Sequence, residues 1–145
     1  MYKPLQDGDE IRVVAPSQSY NKKKEAQYQR AKQRLEKLGY RVTFGNHIKD
    51  VALLGTADAR ERAQDLNEAF ADAKVQAVMV IHGGWSANEV LPLLDWDVIK
   101  QNPKPLLATR TRLCCSMQSM QKLVILAFLA RISVLMARKS YGSIY

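Results

Sequence analysis

Acidic residues stop at Asp97, and residues 108–145 contain neither Asp nor Glu while holding six Lys and Arg: Arg110, Arg112, Lys122, Arg131, Arg138 and Lys139. The formal charge of +8 therefore sits almost wholly in the last quarter of the chain, and residues 1–107 are close to neutral. A basic protein invites a nucleic-acid reading, but a near-neutral body with a basic tail does not carry one. Cysteine is as scarce as acid is late. The two cysteines are the neighbours Cys114 and Cys115, a spacing that offers neither a zinc site nor a disulfide framework. The start, MYKPLQDGDEIRVV, lacks an apolar core, so no secretory signal is expected and the expected location is cytoplasmic. Uninterrupted apolar runs of membrane length are missing too. Leu123–Ala137 is apolar but about fifteen residues long with Arg131 inside it, against the roughly twenty that a span requires. No membrane association is expected.

What is present is alternation. Ile11–Ala15 is a short apolar run closed by Pro16, the pattern of a buried strand. Asn21–Leu38 has helical spacing, with Tyr28, Ala31, Leu35 and Leu38 on one stripe and Gly39 as its C-terminal stop. Tyr40–Phe44 reads as a second strand. Thr56–Ala73 reads as a second helix, striped by Ala59, Ala63, Leu66, Phe70 and Ala73. Val75–Ile81 is apolar enough for the middle of a sheet. Ser86–Leu94 and Trp96–Lys100 read as short helices, and Lys104–Leu107 opens a fourth strand. Strands alternating with helices imply an α/β fold with a parallel sheet and right-handed crossovers. Ligands of such sheets bind at the carboxyl ends of strands. Those ends are Ala15-Pro16-Ser17, His82-Gly83-Gly84 and whatever follows Leu107.

Gly83 and Gly84 let a ligand approach the backbone, and their amides can stabilise an oxyanion. Ser86 or Asn88 can cap the helix that follows. The plain alternative is a strand-to-helix turn. Pro16, Ser17, Trp85, Ser86 and Asn88 are the side chains expected to line a site at these ends. Ser17 and Ser19 otherwise read as turn-closing serines, and His82 as a hydrogen-bonded bystander, since no acid–nucleophile pair is visible near it. Asn21–Arg34 is a solvated helix face, not a nucleic-acid surface. No metal site and no cofactor are expected.

The segments L-x-x-G-D-x-I-R-V-V-A-P-S (Leu5–Ser17), LEKLGYRV, ADARERAQDLNEAFAD and GGWSANEVLPLLDWDVIKQNPKPLL together resemble the LD-carboxypeptidase family. This family of serine peptidases includes the microcin C immunity peptidases. The resemblance covers about residues 5–107, in the family's order. It implies a Rossmann-like N-terminal α/β domain at residues 1–107, the family's C-terminal domain being absent. It also implies metal-free hydrolysis of a C-terminal amide, either the L,D bond of a murein tetrapeptide during cell-wall recycling or an amide in a peptidyl-nucleotide. A homodimer is implied for intact members. In the family, N-P-K leads to G-Y-S-D, whose serine is the nucleophile at a strand-to-helix elbow. A Glu and a His from the second domain complete the triad.

Here Ala108, Thr109, Arg110 and Thr111 stand in place of G-Y-S-D, and Arg110 occupies the nucleophile position. A guanidinium cannot attack a carbonyl. Yet GGC TAC TCG GAC, read one nucleotide late, encodes Ala-Thr-Arg-Thr. The same shift forces Leu across Cys114-Cys115, Ala across Met117-Gln118 and Met120-Gln121, and Gly across Met136-Ala137. Over Cys115–Val124 the other frame permits L-L-N-A-I-Y-A-K-T-G, and over Leu129–Val134 it permits G-P-N-F-S, both like the family's continuation. Residues 108–145 are therefore expected to be an out-of-frame tail and the chain to be inactive. The competing expectations are a natural, divergent C-terminus on a non-catalytic peptide-binding module, or a tail-anchored membrane protein.

Overall fold

The computed structural model describes residues 4–52 and 56–108. Arg110, both cysteines and the apolar run Leu123–Ala137 lie outside the described residues.

Four parallel strands form one sheet: β1 (Glu10–Val14), β2 (Arg41–Phe44), β3 (Val75–Val80) and β4 (Leu106–Leu107). Their order is β2-β1-β3-β4, with Ile11 paired to Val42 and Ala77, and Met79 to Leu107. Side chains alternate across the sheet, as the two-residue period requires. Val14, Val78 and Val80 point to one layer, and Val13, Ala15, Met79 and Ile81 to the other. Both faces are covered, which is why consecutive residues such as Val13 and Val14 of β1, and Ala77 and Val78 of β3, are buried together.

The first layer holds helix α2 (Ala59–Ala71), a 3₁₀ segment at Trp85–Leu93 and helix α3 (Trp96–Gln101). Ala63, Leu66 and Phe70 bury the predicted stripe of α2 against Val90, Leu94 and Ile99. Ala73 falls beyond the helix and is exposed. Asp58 starts α2 through a capping box with Glu61. Lys104 ends it by donating to the Ala69 carbonyl at 2.9 Å and to that of Asp72.

Helix α1 (Glu25–Lys37) covers the second layer. The predicted helix from Asn21 is shorter than expected. The Asn21 side chain accepts from the Lys23 amide, which tightens Lys22–Lys24 into a 3₁₀ turn before α1 begins. The predicted stripe is corrected as well: Tyr28 and Leu35 pack on the sheet, whereas Ala31 is exposed and Lys32 is half-buried in its place. The third helical expectation, Ser86–Leu94, is a 3₁₀ segment containing Pro92, which has no N–H for a longer α-helical ladder. Gly39 has φ +94, as a helix stop requires.

At the amino end of the sheet, the buried Glu10 carboxylate accepts from Arg12 at 2.7 Å, from Thr43 at 2.7 Å and from Arg41. Arg12 also pairs with Asp72 at 3.0 Å. This network ties β1 to β2 and to the end of α2, on the side of the sheet away from the candidate site.

Candidate active site

From β1 the chain returns through α1 to β2 on one side, and then crosses to β3 and β4 on the other. The switch therefore falls between the carboxyl ends of β1 and β3, where an open α/β sheet leaves a crevice. Pro16-Ser17 and His82-Gly83-Gly84 are brought together there. The Ile81 amide still donates to the Val14 carbonyl at 2.9 Å, so the two strands part only after it.

Ser17 is fully buried, and its hydroxyl lies 2.9 Å from that of Ser86, which also reaches the Ser17 carbonyl at 3.3 Å. Ser86 thus joins the two loops and does not cap the following segment, whose cap residue is Gly84. Asn88 is exposed on that segment. Trp85 opens it. Gly84 has φ 176, an extended backbone that any residue adopts, so unusual dihedrals are not its purpose. Close approach is: a Cβ there would sit 2.3 Å from the Ser17 hydroxyl. Among the described residues, the Gly83 and Gly84 amides donate no hydrogen bond.

A residue outside the predicted stripe of α2, although its spacing from Ala59 and Leu66 puts it on the buried side of that helix, fastens this arrangement. Arg62 is 3% exposed. Its guanidinium donates to the carbonyls of Pro16 (2.7 Å), Ser86 (3.1 Å) and Ala57 (2.9 Å), and it pairs with Glu89. One planar fork thereby holds the exits of both β1 and β3. Asp65, one turn further along α2, accepts from the His47 amide at 3.1 Å and fixes the β2 exit. Burial raises its pKa, partly offset by the His47 and Asn46 amides.

Neither serine near β1 is free to attack a substrate. Ser19 donates to the Asp50 carbonyl and accepts from the Ala57 amide, the turn-closing role expected of it. His82 lies 2.6 Å from the Tyr28 hydroxyl, and burial, with help from Lys24, lowers its pKa. Among the described residues, no serine hydroxyl is hydrogen-bonded to a histidine. His47, Asp50 and Glu61 each bring a ligand atom within 4.8 Å of one another. Each already has a local partner, since Glu61 receives the Asp58 amide and His47 lies 2.8 Å from Asp50. Among the described residues, no helix is long and apolar enough to cross a membrane.

A cleft of about 500 Å³ opens beside the crevice, between Tyr20, Lys24, Lys49, His82, Ser86 and Glu89. β4 runs parallel to β3, so the chain beyond Leu107 leaves the sheet at this same edge.

Residues 11–108 match the model of the LD-carboxypeptidase N-terminal domain. A Treponema pallidum protein named "Putative carboxypeptidase" is 41% identical over 100 residues, covering 69% of this chain and 30% of its own length. An MccF-like protein from Bacillus anthracis superposes with a TM-score of 0.69 at 38% identity, over 72% of this chain and 32% of its own. The microcin C7 self-immunity protein MccF, solved in complex with aspartyl sulfamoyl adenosine, gives 0.67 at 28% identity, over 72% and 31%. A muramoyltetrapeptide carboxypeptidase from Oxalobacter formigenes gives 0.57 at 25%, over 67% and 31%. The chain thus spans about 30% of the length of the relatives it matches. By its sheet order, its sequence and its match to the family model, the chain belongs to the LD-carboxypeptidase family, whose N-terminal part it contains.

Proposed function

We propose that residues 1–107 are the N-terminal domain of a serine carboxypeptidase that cuts the L,D amide of a murein tetrapeptide, and that this chain is itself inactive. The observation that carries the reading is convergence at one edge. The exits of β1 and β3 meet under Arg62, and β4 delivers the chain to the same edge at Leu107. The nucleophile of the family belongs one turn beyond that point. Attack by a serine there would leave the carbonyl oxygen facing the Gly83 and Gly84 amides, which would stabilise the developing charge. Pro16, Ser17, Trp85, Ser86 and Asn88 would line the approach. Arg110 in the nucleophile position removes the attacking group.

A one-nucleotide slip before Ala108 explains the arginine, the missing acids and the forced codons at Cys114-Cys115, Met117-Gln118, Met120-Gln121 and Met136-Ala137 together. The intact protein would be a metal-independent, cytoplasmic enzyme, with no nucleic-acid or membrane partner and as a homodimer. Genomic sequencing across codons 100–150 tests the slip. One restored nucleotide is expected to open G-Y-S-D and a longer frame. A confirmed frame without family-like sequence in the alternative would return residues 108–145 to a natural tail. An assay of the purified chain with murein tetrapeptide is expected to show no D-alanine release, and measurable release would refute inactivity.

A peptidyl-nucleotide is the second reading. The superposition on MccF itself, with a TM-score of 0.67 against 0.57 for the muramoyltetrapeptide carboxypeptidase, supports it.

A further inference from the structure

We propose that the cleft beside the β1 exit is an anion-binding pocket, in which Lys22, Lys24 and Lys49 receive a carboxylate or phosphate of the ligand. The inference rests on the proposed peptidase site and names a property of its substrate: an anionic group several ångströms from the bond that is cut.

The charge balance of the lining is one-sided. It holds three lysines and one acid, Glu89, whose carboxylate is already committed to the buried Arg62. Glu25, close by, is engaged by the Tyr20 hydroxyl and by Gln29 at 3.0 Å. Glu25 feels the Lys49 charge, but among the described residues Lys22, Lys24 and Lys49 make no ion pair.

The walls are also fixed. The Tyr20 amide donates to the Ile48 carbonyl at 2.8 Å, and the Ser19 hydroxyl to the Asp50 carbonyl at 2.7 Å. These bonds stitch the β1 exit to the loop that carries Lys49. The Lys49 ammonium stands 5.0 Å from the centre of the buried Tyr20 ring, which keeps it over the cleft. On the facing side the Asn21 side chain holds the Lys22–Lys24 turn closed. The positive field is felt locally, for Lys24 adds to burial in disfavouring the charged form of His82. A cleft of about 500 Å³ has the size that small-molecule sites occupy. Tyr20 and His82 line it, and the Tyr28 ring packs against both, 4.4 Å from that of Tyr20.

Both candidate substrates carry such an anion, a carboxylate in murein peptides and a phosphate in peptidyl-nucleotides. Calorimetric titration of the purified 145-residue chain with the free-acid murein tetrapeptide, and with the same peptide fully amidated, tests the pocket. The free acid is expected to bind at least about tenfold more tightly and to weaken as salt is added. The double variant K24Q/K49Q, made at exposed positions, is expected to bring the free acid down to the level of the amidated peptide without moving the melting temperature. Displacement of the peptide by adenosine monophosphate but not by adenosine supports the proposal and assigns the pocket to phosphate. Displacement by neither supports it with the carboxylate as the anion. Equal binding of acid and amide, or an unchanged K24Q/K49Q affinity, overturns the pocket and leaves the peptidase reading standing. Absence of binding by any probe also overturns it, and the peptidase reading is then judged separately by the gene sequence.

Discussion

At the scale of single residues, the site is built from close approach more than from charge. Gly84 shows this. Its backbone is extended, so alanine would fit its dihedrals, but the new Cβ would lie 2.3 Å from the Ser17 hydroxyl. Ser17 is fully buried and cannot swing away into solvent. Gly84→Ala is expected to destabilise the fold by about 1–3 kcal/mol, as overpacking does. Ser17→Ala alone loses the bond to Ser86, at a cost of about 1 kcal/mol. Combined, the two should cost less than their sum, because the next contact of the new Cβ is the Ser17 Cβ at an ordinary 3.5 Å. Urea unfolding of the four proteins checks this, and strict additivity would show that Gly84 is not there for Ser17. The glycine pair was legible in the sequence as a break after an apolar strand. Its reason was not, because the clash involves a residue 67 positions earlier in the chain. The role of Arg62 was invisible for the same reason. Helical spacing does set it beside Ala59 and Leu66 on the buried side of α2, but only the fold brings the carbonyls of Pro16 and Ser86 to it.

Elements were more legible than residues where hydrophobicity is continuous. β1 and β3 stand within one residue of the apolar runs that announced them. Reading failed where a local side-chain bond or a proline changes the helix type, at Asn21 and at Pro92. It also missed the polar clamp at the amino end of the sheet, since Glu10 looks like an ordinary strand-flanking charge. Burial disfavours its ionised form, but the hydrogen bonds from Thr43, Arg12 and Arg41 outweigh that cost and hold its pKa at about 2, below the ordinary 4.5. A depressed carboxylate pKa stabilises the fold above the unfolded value. That contribution is complete above about pH 5 and is lost as pH falls from 4.5 toward 2, and it amounts to at most about 3 kcal/mol. Asp65 works in the opposite direction, since its raised pKa favours the fold at acid pH. The Glu10 contribution therefore has to be isolated by difference. Glu10→Gln is expected to be less stable than the parent at pH 7, with the gap closing as pH approaches 2. A gap independent of pH in urea titrations would show that Glu10 acts through packing and not through its charge.

For the whole molecule, the question is whether residues 109–145 belong to the fold. The core clusters of the described residues draw on β1 to β4, α1 to α3 and the 3₁₀ segment Trp85–Leu93. The family match ends at Ala108. A tail translated from a shifted frame has never been selected to pack against this sheet, whereas a natural C-terminus of this apolar composition would have been. The two origins differ in what truncation does. If the tail is out of frame, a chain ending after Ala108 is expected to unfold cooperatively and to melt within about 2 °C of the 145-residue chain. A packed tail that contributes even about 1 kcal/mol would lower the melting temperature of a domain of this size by about 4–8 °C on removal. Calorimetry on the two chains at equal concentration separates these outcomes. A large drop, or loss of the cooperative transition, would mean that residues 109–145 complete the domain. Arg110 would then have to be explained as part of a working structure and not as the product of a displaced reading frame.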